Sequence, residues 1–217
     1  MTDACGRADV SSRTGDGVSA PADTMRAHGF SRRSLLAASA PLLLAACSSA
    51  PLETFELAAV PLEKTVQPRQ AVISIAEPTA PAILATNRIA IRRPGGDFVY
   101  LAGAQWSDVL TQLVQRRIKE SFETAHLFRA VATTGTASDY ILAADIRRFE
   151  IDSVSNQAVV EIAVRLVAAR TGKTLKGTIV SGSAPSPTTG AAGITAAIDA
   201  AFAQAADKML TFAVSRT

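Results

Sequence analysis

"QAVVEIAVRLVAARTGKTLKGTIVSGSAP", residues 157–185, decides the fold. In its first half Ala158, Val160, Ile162, Val164 and Leu166 recur at every second residue, while Glu161 and Arg165 take alternate positions. That is the period of a strand with one apolar and one polar face. Arg170-Thr171-Gly172-Lys173 then breaks the pattern before a second β-prone run, so the whole reads as an antiparallel hairpin. The segment before it, "DYILAADIRRFEID" (139–152), alternates through Tyr140, Leu142, Ala144 and Ile146 and then slips to Phe149 and Ile151. A bulge near Arg147 and Arg148 explains the slip.

Further upstream the same logic gives more strands. "NRIAIRRPGGDFVYLAG" (87–103) is strand, Pro-Gly-Gly turn, strand; "AVISIAEP" (71–78) is a strand closed by proline; "LFRAV" (127–131) is a short one. Between them the period changes to four: Trp106, Leu110, Val114, Ile118 and Phe122, widened by Val109 and Leu113, form the stripe of an amphipathic helix. "SPTTGAAG" breaks the β pattern after the hairpin, and Ile194, Ile198, Phe202, Ala205, Met209 and Phe212 mark a final helix. Two helices with apolar stripes need a sheet face to cover. The expected fold is therefore α+β: a two-layer α/β sandwich, mostly antiparallel, of about five strands with two helices on one face.

Residues 31–49, "SRRSLLAASAPLLLAACSS", have another character. The uncharged run from Ser34 to Ala46 is shorter than the roughly 18–20 apolar residues a spanning helix needs. Arg32 and Arg33 precede it and small residues close it, the layout of an export signal. Leu44-Ala45-Ala46-Cys47 resembles a bacterial lipobox, which implies peptidase recognition at Leu44, Ala45 and Ala46, cleavage before Cys47, and acylation of that cysteine. Arg32 and Arg33 also resemble a twin-arginine export motif, with ordinary secretion the other route. The expected organisation is an N-terminal extension at 1–24, with Met25 the candidate start, a lipoprotein signal peptide at 25–46, a proline-punctuated lipidated tether at 47–70 with a short strand-like "TFELAAV" (54–60), and one domain at 71–217. Ser48 stands where lipoproteins held at the inner membrane typically carry Asp, which implies sorting to the outer membrane.

Several function classes are disfavoured by composition. The chain holds 22 Lys and Arg against 19 Asp and Glu; five of the basic and four of the acidic residues precede Cys47, which leaves 17 against 15 in the remainder, no footprint for a nucleic acid. From Cys47 onward there is one histidine, His126, and no cysteine beyond Cys47 itself, so a common zinc site cannot be built, and no Gly-x-Ser-x-Gly elbow is present. "TGKT" (171–174) lacks the first glycine of a phosphate loop, since Val167 occupies that place, and reads as a hairpin turn. Asp145 and Glu161 fall on separate strands; Arg92 and Arg93 read as solvated turn charges ahead of an anionic headgroup site; Trp106 reads as core and His126 as surface or strand entry. No cofactor and no enzymatic activity are expected.

"NRIAIR" (87–92), "YLAGAQWSDVLTQLVQRRIKESFETAHLFRAV" (100–131), "YILAADIRRFE" (140–150) and "AARTGKTLKGTIVSGSAP" (168–185), together with the lipobox, resemble the ABC-type transport auxiliary lipoproteins, the partners of mammalian-cell-entry (Mce) domain lipid transporters. The resemblance implies a periplasm-facing, lipid-anchored, non-enzymatic subunit. It would link an Mce-domain protein, with its ABC permease and ATPase, to the outer membrane. The rival reading is an outer-membrane assembly lipoprotein that acts as plug or chaperone for a β-barrel, since fold does not fix function.

Overall fold

The computed structural model describes residues 51–59 and 67–215. The expected extension, signal peptide, export arginines Arg32 and Arg33, lipobox residues Leu44, Ala45 and Ala46, and Cys47 lie outside the described residues. Those described fall within one compact unit, Ser48–Thr217.

The elements in chain order are β1 (Glu53–Phe55), β2 (Arg69–Ile75), β3 (Arg88–Arg92), β4 (Phe98–Trp106), α1 (Leu110–Thr124), β5 (Phe128–Thr133), β6 (Tyr140–Asp152), β7 (Gln157–Ala168), β8 (Thr174–Pro185) and α2 (Ala191–Val214). The predicted hairpin is present: β7 and β8 pair antiparallel from Gln157↔Pro185 to Val167↔Thr174. Its turn is closed by the Gly172 N–H donating to the Ala168 carbonyl at 2.9 Å, with Gly172 at φ 67°, where a side chain would be strained. The β6 bulge is also where the alternation slips. Ile146 faces Ile162 and Arg148 faces Glu161, so Arg147 is the extra residue. Inserting one residue keeps Phe149 and Ile151 on the face already used by Leu142 and Ile146.

The α+β class holds, but the sheet differs from the expected one. Among the described residues it has eight strands and is mixed: β1–β4, β2–β5, β2–β6 and β3–β6 are parallel, and β3–β4, β6–β7 and β7–β8 are antiparallel. The cause is the length of β6. One of its edges is filled along its length by β7, while the other is shared: β2 takes Tyr140 to Leu142, an isolated bridge joins Thr79 to Asp145, and β3 takes Glu150 to Asp152. The sheet therefore forks beyond β6 into β2–β5 and β3–β4–β1. Strands brought together this way are separated by whole crossovers, and local periodicity carries no trace of the pairing.

Both helices contribute to one core. Leu113, Val114, Ile118 and Phe122 of α1 pack with Ile73 and Ile75, and the Phe122 and Phe128 rings lie 6.0 Å apart. Trp106 is 1% exposed, as a core residue should be, yet it ends β4 and does not belong to the helix. Its N–H donates to the Asn87 carbonyl at 2.8 Å, the chain turns at Ser107 and Asp108, and α1 starts at Leu110. Its spacing of four from Leu110 is a coincidence of strand end and helix start. Trp106 meets Phe149 edge-on at 6.1 Å, and Phe149 meets Phe202 of α2 at 6.0 Å, a chain of rings that joins sheet to helix.

Along α2 the buried side is rich in alanine: Ala197, Ala201, Ala205, Ala206 and Ala213 alternate with Ile194, Ile198, Phe202, Met209 and Leu210. Small residues let the helix axis approach the sheet closely. Phe212, expected on the stripe, sits at its margin under the Lys176 ammonium, 4.7 Å from the ring centre.

Candidate functional site

Residues 148–152 alternate across the sheet, so Arg148, Glu150 and Asp152 point away from the helix-facing Phe149 and Ile151. Arg92 pairs in register with Asp152 and shares their face. There Glu150, 0% exposed, accepts hydrogen bonds on Oε1 from Arg92 Nε at 2.6 Å and Arg148 Nε at 2.9 Å. Arg148 Nη2 continues to Asp152 Oδ2 at 3.3 Å. The Arg92 guanidinium lies 4.5 Å from the centre of the Phe98 ring, and Arg88 lies 5.4 Å from that of Tyr100. The result is a carboxylate buried beneath two arginines, one of which also lies on the Phe98 ring.

The electrostatics of this network suit structure more than proton transfer. Burial works against the Arg148 charge, but hydrogen bonds and charge from Glu150 and then Asp152 more than offset it, and the guanidinium is held more firmly protonated than usual. Asp152 is held below the ordinary carboxylate range, chiefly by the Ser155 N–H, then by the Val154 N–H and Arg148. Glu56, in the segment after β1, is likewise lowered, first by a hydrogen bond from Ser107 and then by Arg117 and Arg116 of α1. A group poised for general acid or base catalysis would be tuned towards neutrality; these are tuned away from it.

A pH dependence follows from the direction of these shifts. A carboxylate with a lowered folded-state pKa contributes stability fully present above its unfolded value and lost as pH falls through the folded one. Thermal stability should therefore fall as pH drops below about 4. Asp152→Asn and Glu56→Gln together should flatten that acid limb, which a melting series from neutral to acid pH would read.

Arg92, read as a solvated turn charge, is instead committed to Glu150, whereas Arg93 is exposed and only 3.8 Å from Asp97. Asp145 and Glu161, separate in sequence, are bridged by the bulged Arg147, at 3.8 and 4.0 Å. At that exposure the bridge is a weak surface interaction. His126 is exposed and follows the α1 cap with φ 50°, ending the helix by a left-handed turn. Thr171 to Thr174 is the β7–β8 turn and entry to β8. Glu150 is not among the residues singled out from the sequence; an acid set between the apolar Phe149 and Ile151 was the available signal.

Among the described residues no group of three or more His, Cys, Asp and Glu side chains could hold a metal ion. Surface grooves are broad and open. One of about 340 Å³ between β8 and α2 is lined by Ile179, Asp207, Lys208, Thr211 and Phe212; another of about 330 Å³ beside α1 is lined by Glu77, Asp108 and Arg116.

Comparison with known proteins agrees with this architecture. A family model described as ABC-type transport auxiliary lipoprotein component matches residues 55–210. The Bradyrhizobium diazoefficiens protein bll6063 is 34% identical over 157 residues, which take in 71% of this chain and 41% of the relative. This chain thus spans about two fifths of that curated relative's length. The crystal structure of protein XCC0632 from Xanthomonas campestris superposes with a TM-score of 0.68 at 25% identity, covering 76% of this chain and 95% of that one. A second crystal structure, of an uncharacterized protein, gives a TM-score of 0.58 at 13% identity over 76% and 97% of the two chains, a likeness of fold alone.

Proposed function

The chain belongs to the family of ABC-type transport auxiliary lipoprotein components, and we propose on that premise that it is the lipid-anchored, periplasm-facing subunit of an Mce-type ABC transport system, linking the lipid-carrying assembly to the outer membrane. The observation that carries this reading is the family match across the folded body, residues 55–210. Within the sheet Glu150 is committed to Arg92, which ties β6 to β3, and to Arg148 of its own strand.

In this reading Cys47 is the attachment point. Among the described residues no helix is long and apolar enough to cross a membrane. Two or more acyl chains on Cys47 would give a stable anchor, where a single chain gives marginal, reversible binding. Anchoring raises the effective concentration of the domain beside any partner that approaches the same membrane. ATP hydrolysis belongs to the ATPase of the assembly.

Crosslinking in intact cells followed by affinity purification from membranes tests the proposal. The expected co-purifying proteins are an Mce-domain protein with its permease and ATPase. Recovery of a β-barrel with none of these would overturn it in favour of the assembly-lipoprotein reading.

A further inference from the structure

The first strand carries directional information. β1 runs parallel to β4 with Glu53 opposite Ala104 and Phe55 opposite Trp106. It is pinned: Ser107 donates its N–H to the Phe55 carbonyl at 2.8 Å, the Ala58 N–H donates to Asp199 Oδ1 at 2.8 Å, Glu56 pairs with Arg116 and Arg117, and Leu57 is 2% exposed. Traced backwards from Glu53, the chain heads toward the start of β4 at Phe98 and the β3–β4 turn at 93–97.

That turn does not stand alone. Ser153, which opens the β6–β7 turn, donates both its N–H and its Oγ–H to the Arg92 carbonyl, at 3.0 and 2.9 Å, so the two turns form one end of the sheet. Five large apolar side chains are exposed among the described residues, and Leu52, Val99 and Val154 lie at this end or on the approach to it. Val154, at the tip of the β6–β7 turn, is 69% exposed, the most of the five. The charges nearby are paired within the fold: Arg93 with Asp97, Arg92 with Glu150, Arg148 with Asp152. Such an end suits the apolar boundary of a phospholipid interface and has little to offer a polyanion.

Chain length then limits the geometry. Glu53 is six residues from Cys47, an extended reach of at most about 20 Å. Gln105 and Phe98 face Arg88 and Arg92, four residues apart on β3, so the part of β4 beside β1, bulged between Tyr100 and Gln105, advances only about 13 Å toward the turns. An anchor at Cys47 can therefore reach the level of Phe98 with about two residues to spare, enough to cover the turns and little more. We propose that the β3–β4 and β6–β7 turns, with Val154 foremost, rest on the phospholipid bilayer that holds the Cys47 acyl chains, so that the β7–β8 turn at 170–173 points away from it. This rests on Cys47 being the lipidated residue.

The test uses full-length lipidated protein purified from membranes and reconstituted into vesicles of phosphatidylethanolamine and phosphatidylglycerol. With the Cys47 sulfur acylated, a single engineered thiol takes an environment-sensitive fluorophore specifically. At Val154→Cys the emission should shift to the blue and be quenched by lipids carrying a shallow spin label, unchanged at high salt; at Thr171→Cys neither should occur. Quenching at both positions, at neither, or only at Thr171→Cys would overturn the orientation. Mass spectrometry of the same sample separates this failure from that of the anchor: acylated Cys47 with an unquenched Val154→Cys sinks the orientation alone, and unmodified Cys47 sinks both.

Discussion

Gly182→Ala should destabilise the protein by about 3 kcal/mol, at the upper end of what overpacking a core usually costs. A Cβ built on Gly182 would lie 2.0 Å from the Ala201 carbonyl oxygen and 2.8 Å from Gln204 Cβ. The obstacle is helix backbone, which cannot swing aside as a side-chain tip can, so α2 must lift from β8. Lifting it would also break the hydrogen bonds by which Gln204 Nε2 donates to the Ser183 carbonyl at 2.9 Å and Lys208 Nζ to the Ser181 carbonyl at 2.6 Å. Gly177→Ala in the same strand is the control: its Cβ would meet Arg165 Cγ and the Val164 carbonyl at 3.4 Å, and the cost should stay under about 1 kcal/mol. Equal midpoints for the two variants in urea unfolding would show that the approach of α2 to β8 is not rigid.

The second large effect is asymmetric. Removing both arginines, Arg92→Ala with Arg148→Ala, leaves Glu150 as an uncompensated charge beneath the sheet surface and should cost about 3–5 kcal/mol. Either single replacement should cost much less, because the remaining guanidinium still reaches Oε1. Adding Glu150→Met to the double variant should restore most of the loss, since an apolar side chain of similar size needs no partner there. Should the triple variant be no more stable than the double, the destabilisation comes from the lost arginine stems, that of Arg92 against Phe98 among them, and not from the stranded carboxylate.

The network also marks how far a candidate site can be read from a chain. Arg92 was visible as one of a pair of charges before a Pro-Gly-Gly turn, and its local setting pointed to solvent. What claims it is Glu150, 58 positions away, and that acid is in reach only because β3 lies parallel beside the far end of β6. Trp106 makes the converse point. Its burial followed from size and apolarity alone, but its element did not, because an apolar residue four places before a helix stripe looks the same whether it begins the helix or ends the preceding strand.

Strand and helix identities, the β7–β8 hairpin, the Arg147 bulge and the apolar sides of both helices are properties of neighbouring residues, set by side-chain period and turn chemistry, and are therefore written in the chain itself. The parallel pairings, the forked sheet and the burial of Glu150 are set by which distant backbones meet. A backbone N–H or carbonyl is chemically the same in every strand, so nothing short of the packed fold selects its partner.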